Sequence, residues 1–246
     1  MIGKTHTFSA FDEDLQKLQQ LVMTMGGLVE ASIDQAARAL DQRDDELAAE
    51  VVQNDKRIDA LEEEINNAVV RIIALRQPQA SDLRLVVTVM KMAHNLERLG
   101  DFSKNLAKRV PILIQAQAVP GASASVRRLA KSVRLMLKDA LDAYARGDAE
   151  AAAEVRARDV EVDQMSTALF REYLTHMMED PRNITACMHL LFIAKNLERM
   201  GDHVTSIAEY VIFMATGHMP EDERPKGEST ALAVGPDFKT ASGETQ

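Results

Sequence analysis

Apolar residues recur at steps of three and four along most of this chain. The first stripe takes Leu15, Leu18, Val22, Met25, Val29, Ser32, Ala36 and Ala39, the period of an amphipathic helix. Ser9 and Asp12, three apart at its start, predict a capping pair. "DQRDD" at 41–45 breaks the stripe. A second takes Val51, Ile58, Ile65 and Ile72 at sevens, with Leu61, Ala68 and Leu75 between them, and stops at Pro78, where the ring cannot sit inside a helix. A third runs through Val89, Met92, Leu96, Leu99, Ser103, Leu106 and Val110. "VPGAS" at 119–123 punctuates the middle, and helical patterns then cover 125–146, 148–178 and 182–216. From Gly217 the periodicity ends. The last 30 residues hold 4 of the 11 Gly and 3 of the 7 Pro, which predicts a disordered tail over 217–246.

The chain also repeats itself. "NLERLGD" at 95–101 returns as "NLERMGD" at 196–202, an offset of 101 (196 minus 95). "AAEVVQNDKRID" at 48–59 aligns with "AAEVRARDVEVD" at 152–163, an offset of 104 (152 minus 48). The three-residue difference belongs in the turn between the two motifs. One three-helix unit is therefore used twice. The expected fold is all-α, two tandem pseudo-repeated three-helix bundles over 1–116 and 117–216.

Each unit carries Asp-x-x-x-Asp on its second helix and Glu-x-x-x-Asp on its third. Residues four apart share a helix face. In the first unit the midpoint of Asp59 and Glu97 and that of Asp55 and Asp101 both fall at position 78, the turn proline. An antiparallel hairpin about Pro78 thus sets four carboxylates at one height. In the second unit, Asp163 with Glu198 and Asp159 with Asp202 both centre on 180.5, beside Pro181. With Ile58, Leu61, Leu96 and Leu99 turned to the core, each cluster is expected to be surface-accessible. Clustered carboxylates repel one another and call for compensation. A hard multivalent cation supplies it through oxygen ligands, which makes two metal sites of Asp55, Asp59, Glu97, Asp101 and of Asp159, Asp163, Glu198, Asp202. Fe, Mn, Mg, Ca and Zn all remain open. The plainer alternative is a solvated acidic face neutralised by Arg98 and Arg199, with His94 and His203 as neighbours or extra ligands. Gly100 and Gly201 sit inside a helix at the same step of both copies, a costly placement that predicts close approach of a helix or ligand.

Composition sharpens the exclusions. Aromatics are 4% with no Trp, which disfavours strands. A net charge of -9 disfavours a nucleic-acid surface. The single Cys187 allows no internal disulfide, and "ITACMHLLFIA" around it reads as packing. The N-terminus lacks an apolar segment, and no run approaches the ~18 apolar residues of a membrane span. A cytoplasmic protein is expected. No nucleophile constellation or phosphate-cradling loop is present, so a non-enzyme is expected.

The doubled motifs, with "QPQASDLR" at 77–84, "MGGLVEASIDQA" at 25–36 and "MMEDPRNI" at 177–184, resemble the PhoU family over roughly 8–216. The resemblance implies two similar three-helix bundles, multinuclear metal clusters on the eight acids named above, and a homodimer. It implies negative regulation of phosphate uptake and phosphate-starvation signalling. The partners it implies are the ATP-binding subunit of the phosphate ABC transporter and a membrane sensor histidine kinase, so the membrane is reached only through partners. "NIT" at 183–185 stands where the first unit has Asp82-Leu83-Arg84, so a role of that triplet is not duplicated. Two rivals are a metal-storage or di-metal redox bundle and a metal-free regulatory scaffold. The redox bundle needs Glu-x-x-His, and no His here has a Glu three positions before it.

Overall fold

The computed structural model of the chain describes residues 5–221. Among them the regular elements are helical: α1 Thr5–Gln42, α2 Asp45–Arg76, α3 Ser81–Ala107, α4 Val110–Gln115, α5 Ala122–Arg146, α6 Ala149–Ala157, α7 Asp159–Glu179 and α8 Ile184–Thr216, with a 3-10 turn at Pro181–Asn183. The helix boundaries repeat with the sequence. Arg43 and Gly147 both turn the chain with left-handed backbone, φ 55 and 63. Asp44 and Asp148 then cap the next helix, each accepting a backbone N–H three residues on, from Leu47 at 2.9 Å and from Ala151 at 3.0 Å. At the α2–α3 turn, Gln77 closes α2 in the left-handed region just ahead of Pro78.

Three expectations need correction. α1 continues to Thr5, so Ser9 lies within the helix and not at its cap. The pattern over 148–178 is two helices, α6 and α7, because the backbone tightens at Arg158, whose N–H reaches the Val155 carbonyl at 3.1 Å. Leu75 is 65% exposed while Val51, Ile58, Ile65 and Ile72 are buried. A seven-residue line drifts by ~20° per heptad on a straight helix; the Leu61–Ala68–Leu75 line starts on the flank and drifts off the core. Val69 enters the core from the opposite edge. Most of the tail expected over 217–246 lies outside the described residues.

α1, α2 and α3 pack against one another, and α5, α6–α7 and α8 repeat the arrangement. The two units are joined through like helices running antiparallel. Asp41 pairs with Arg127 at 2.7 Å, Asp34 with Arg134 at 3.9 Å, and Gln19 donates to the Ala145 carbonyl at 3.4 Å, which sets α1 against α5. Arg109 meets His189 at 3.1 Å and Phe192 at 4.5 Å, Asn95 meets His203 at 2.8 Å, and Lys91 lies over Tyr210 at 5.2 Å, which sets α3 against α8. An approximate twofold therefore relates the halves. The core runs continuously through both, with Val22, Met25, Leu96, Leu99, Val133, Met136, Leu197 and Val204 all sealed from solvent. Cys187 is buried among them, and burial pushes its thiol pKa up. No helix among the described residues is long and apolar enough to cross a membrane.

Candidate functional site

α2 packs tightly on α3 at Gly100. A Cβ there would meet Ile58 Cδ1 at 3.0 Å and Asp55 Oδ1 at 3.3 Å. At Gly201 a Cβ would meet Asp159 Oδ1 and Val162 Cγ1, each at 3.0 Å. The glycines thus let one helix lie directly over an aspartate of the other. This overturns the expectation that every cluster acid is surface-accessible. Asp55 is 3% and Asp159 2% exposed. Asp59 is exposed, and Glu97, Asp101, Asp163, Glu198 and Asp202 are half-buried.

The halves compensate their buried aspartates differently. Lys104 of α3 donates to Asp55 Oδ2 and, at 2.5 Å, to Asp101 Oδ1. Its pKa is driven up by those two carboxylates. Arg98 adds a contact to Asp101 at 3.8 Å. Position 205 is the repeat partner of 104 and holds a buried threonine. There the break at Arg158 places Asp159 in the first turn of α7, where unsatisfied N–H groups and the helix dipole favour a negative charge. Glu198 is held by Lys195 at 2.6 Å and by the Ser166 hydroxyl at 3.0 Å.

The first cluster reaches one turn further than the four acids foreseen. Glu62 of α2 and His94 of α3 approach to 3.4 Å, and together with Glu97 they form a group of potential ligand atoms within 4.8 Å of one another. The signal was present in the sequence. Glu62 is one heptad beyond Asp55, His94 one heptad before Asp101, and their midpoint is again position 78. A search for Glu-x-x-His passes over it because the order here is His-x-x-Glu.

Crowding sets the protonation of the first cluster. Partial burial, the Asp101 charge, a hydrogen bond to Asp101 and the Glu62 charge raise Glu97 to about 7, against a smaller opposing pull from Arg98. Asp59 is raised by desolvation and by Asp55. Asp101 is lowered: its own desolvation is outweighed by hydrogen bonds from Lys104 and Glu97 and by the charges of Lys104 and Arg98. Crowding thus pushes the two carboxyls in opposite directions, Glu97 toward the protonated form and Asp101 toward the ionised one.

Sequence comparison assigns the repeated unit. The PhoU domain family matches residues 22–110 and 126–211, well over half of the chain. The chain belongs to the PhoU family. It is 47% identical over 231 residues to the "phosphate-specific transport system accessory protein PhoU homolog" of Rhizobium meliloti, covering 94% of this chain and 97% of that one. The Zymomonas mobilis protein of the same name is 49% identical over 225 residues, covering 90% and 93%. The PhoU crystal structure from Pseudomonas aeruginosa superposes with a TM-score of 0.82 at 39% identity, covering 85% of this chain and all of that one. That of the Streptococcus pneumoniae phosphate transport system regulatory protein PhoU gives 0.78 at 30%, covering 86% and 99%.

In this PhoU chain the acid clusters have the donor chemistry of a hard-cation site. Carboxylates from two helices converge, and the glycine-tight packing positions the inner one. Asp55 Oδ1 is buried with no hydrogen-bond partner among the described residues. Asp55, Asp59, Glu97 and Asp101 could meet at one ion only with displacement of Lys104, which stands between Asp55 and Asp101. Among the described residues, Asp159, Asp163, Glu198 and Asp202 do not bring three ligand atoms within 4.8 Å of one another, and only the Glu62–His94–Glu97 group does. A bound cation would supply charge neutralisation, the task Lys104 performs between Asp55 and Asp101 in the first half.

Proposed function

We propose that the chain is a non-catalytic accessory regulator that restrains phosphate uptake and phosphate-starvation signalling. The observation that carries this reading is likeness over nearly the whole chain to phosphate-specific transport system accessory proteins, 47% over 94% of its length. It acts by docking: the ATP-binding subunit of the transporter and the sensor histidine kinase are its partners, and a homodimer is its working form. The architecture supports this mode. Two interlocked bundles make a stiff surface, and a ligand with unequal affinity for two states of a partner shifts that partner's population. Half-buried Arg109, stacked on exposed Phe192, marks one place where that surface is both polar and apolar. The acid clusters serve this role as metal-binding or charge-balanced anchors of the outer helices.

The test is a deletion strain grown in ample phosphate, with phosphatase and phosphate uptake as readouts. High activity of both, reversed by the restored gene, is expected. Wild-type activity despite the deletion would remove the regulatory reading. A pull-down from membranes separates the two partners, and retention of neither in low and in high phosphate would remove the docking mechanism.

A further inference from the structure

The group formed by Glu62, His94 and Glu97 differs in kind from the four-acid sets. It brings an imidazole nitrogen to two carboxylates, a mixed donor set that suits zinc-class ions better than magnesium or calcium. His94 and Glu97 stand three apart on one face of α3, and Glu62 faces them from α2. Donors ~2.1 Å from a common ion lie at most ~4.2 Å apart. The group spans up to 4.8 Å, and its Glu62–His94 pair is already at 3.4 Å. The imidazole is the mobile partner, with a side chain 59% exposed against 23% for Glu62, so small rotations of His94 complete the closure and leave a solvent path for the ion.

The second half gives an independent sign that this point is a cation position. Repeat partners of Glu62, His94 and Glu97 are Ser166, Lys195 and Glu198. There the Lys195 ammonium sits 2.6 Å from Glu198 Oε1, and the Ser166 hydroxyl donates to Oε2 at 3.0 Å. The second half supplies its own cation at that point. In the first half a histidine stands where the lysine is, and a second carboxylate where the serine is, so the tethered cation is absent and two ligand atoms are added. Of the other positive groups nearby, two are engaged elsewhere and one pairs only loosely with Glu97. Lys104 is held by Asp55 and Asp101, Arg98 keeps 4.0 Å from Glu97, and Lys91 lies over Tyr210.

We propose that Glu62, His94 and Glu97 bind one zinc-class divalent ion in the first half alone, at a site set apart from the aspartate end of the cluster by its nitrogen ligand. Binding the ion displaces the proton that crowding favours on Glu97, and the two carboxylates with an uncharged imidazole ligand then match the ion's charge. This site stands whether or not the regulatory reading holds, because its test reads binding alone.

The full chain, stripped with chelator, is titrated with cobalt(II) and then zinc. The visible spectrum reports nitrogen ligation, and the imidazole signals of the histidines report which ring is bound. One equivalent of nitrogen-ligated cobalt is expected, with the His94 ring shifted. His94→Gln is expected to abolish the cobalt spectrum, and Glu62→Gln to weaken zinc at least ~10-fold; both changes lie at the surface and spare the core. The graft Ser166→Glu with Lys195→His is expected to raise the stoichiometry to two. Zinc affinity unchanged in either loss variant, a shifted histidine other than His94, or no cobalt bound by the native chain would each overturn the assignment, leaving His94 and Glu62 as a surface ion pair.

Discussion

Gly100 and Gly201 show how one residue can serve both packing and charge. Alanine in a helix is favoured over glycine by ~1 kcal/mol, so each glycine is retained against local preference. The obstruction differs between copies. A new Cβ at 100 meets the terminal Ile58 Cδ1 at 3.0 Å, with Ile58 Cγ2 at 3.2 Å and Asp55 Oδ1 at 3.3 Å behind it; at 201 it meets two groups at 3.0 Å at once, Val162 Cγ1, on a side chain stiff at χ1, and the buried Asp159 Oδ1. Gly201→Ala should therefore destabilise by ~1–3 kcal/mol, and Gly100→Ala by less, read from thermal unfolding. Equal losses would remove the distinction. Glu97 carries a pH signature of definite sign. Its pKa rises on folding from the ordinary 4.5 to about 7, so across that window the folded chain holds a proton that the unfolded chain has released. Stability from this group is present at low pH and is lost as pH rises through about 7. Asp59 shifts the same way. The urea midpoint should fall between about pH 5 and about pH 7, and Glu97→Gln should flatten that fall. An identical slope in the variant would place the titration elsewhere.

The helices show how repeated local chemistry marks repeated elements. Asp44 and Asp148 cap α2 and α6 by the same bond, each after a left-handed residue. The cap accepts an N–H that the helix leaves without an internal partner. Replacing either aspartate with alanine should cost ~1 kcal/mol. The antiparallel α1–α5 pairing puts the two turns at opposite ends of the molecule, so the double variant should lose the sum. Chemical denaturation tests this; a double loss well short of the sum would mean the turns are coupled. The break between α6 and α7 had no such mark. Its apolar pattern continues through Arg158, and the interruption follows from backbone tightening where Arg158 also reaches across to Asp139 at 2.5 Å. A contact to another helix leaves no trace in local periodicity.

At the scale of the molecule, each three-helix unit is incomplete alone. α1 and α3 present faces to α5 and α8 as well as to α2, and Asn95, in the middle of α3, donates to the Lys91 carbonyl while bonding His203 of the other half. Separating the units would expose those faces. Residues 1–116 expressed alone should therefore self-associate or unfold, whereas the full chain should unfold in one transition by two probes. A monomeric, cooperatively folded fragment would show that the interlock adds little.

Helix periods, the doubled unit and the height match of the acids about Pro78 and Pro181 follow from sequence alone, because period and spacing are local and a hairpin converts equal distance from its turn into equal height. Burial of Asp55 and Asp159 did not follow, since it depends on how closely two helices approach, which is settled by Gly100, Gly201 and the side chains opposite them. Nor did the difference between the halves: Lys104 and Thr205, or His94 and Lys195, are single letters in the sequence. Only the tertiary structure puts a charge next to one aspartate and a helix start beneath the other, because electrostatic partners are chosen by distance in space.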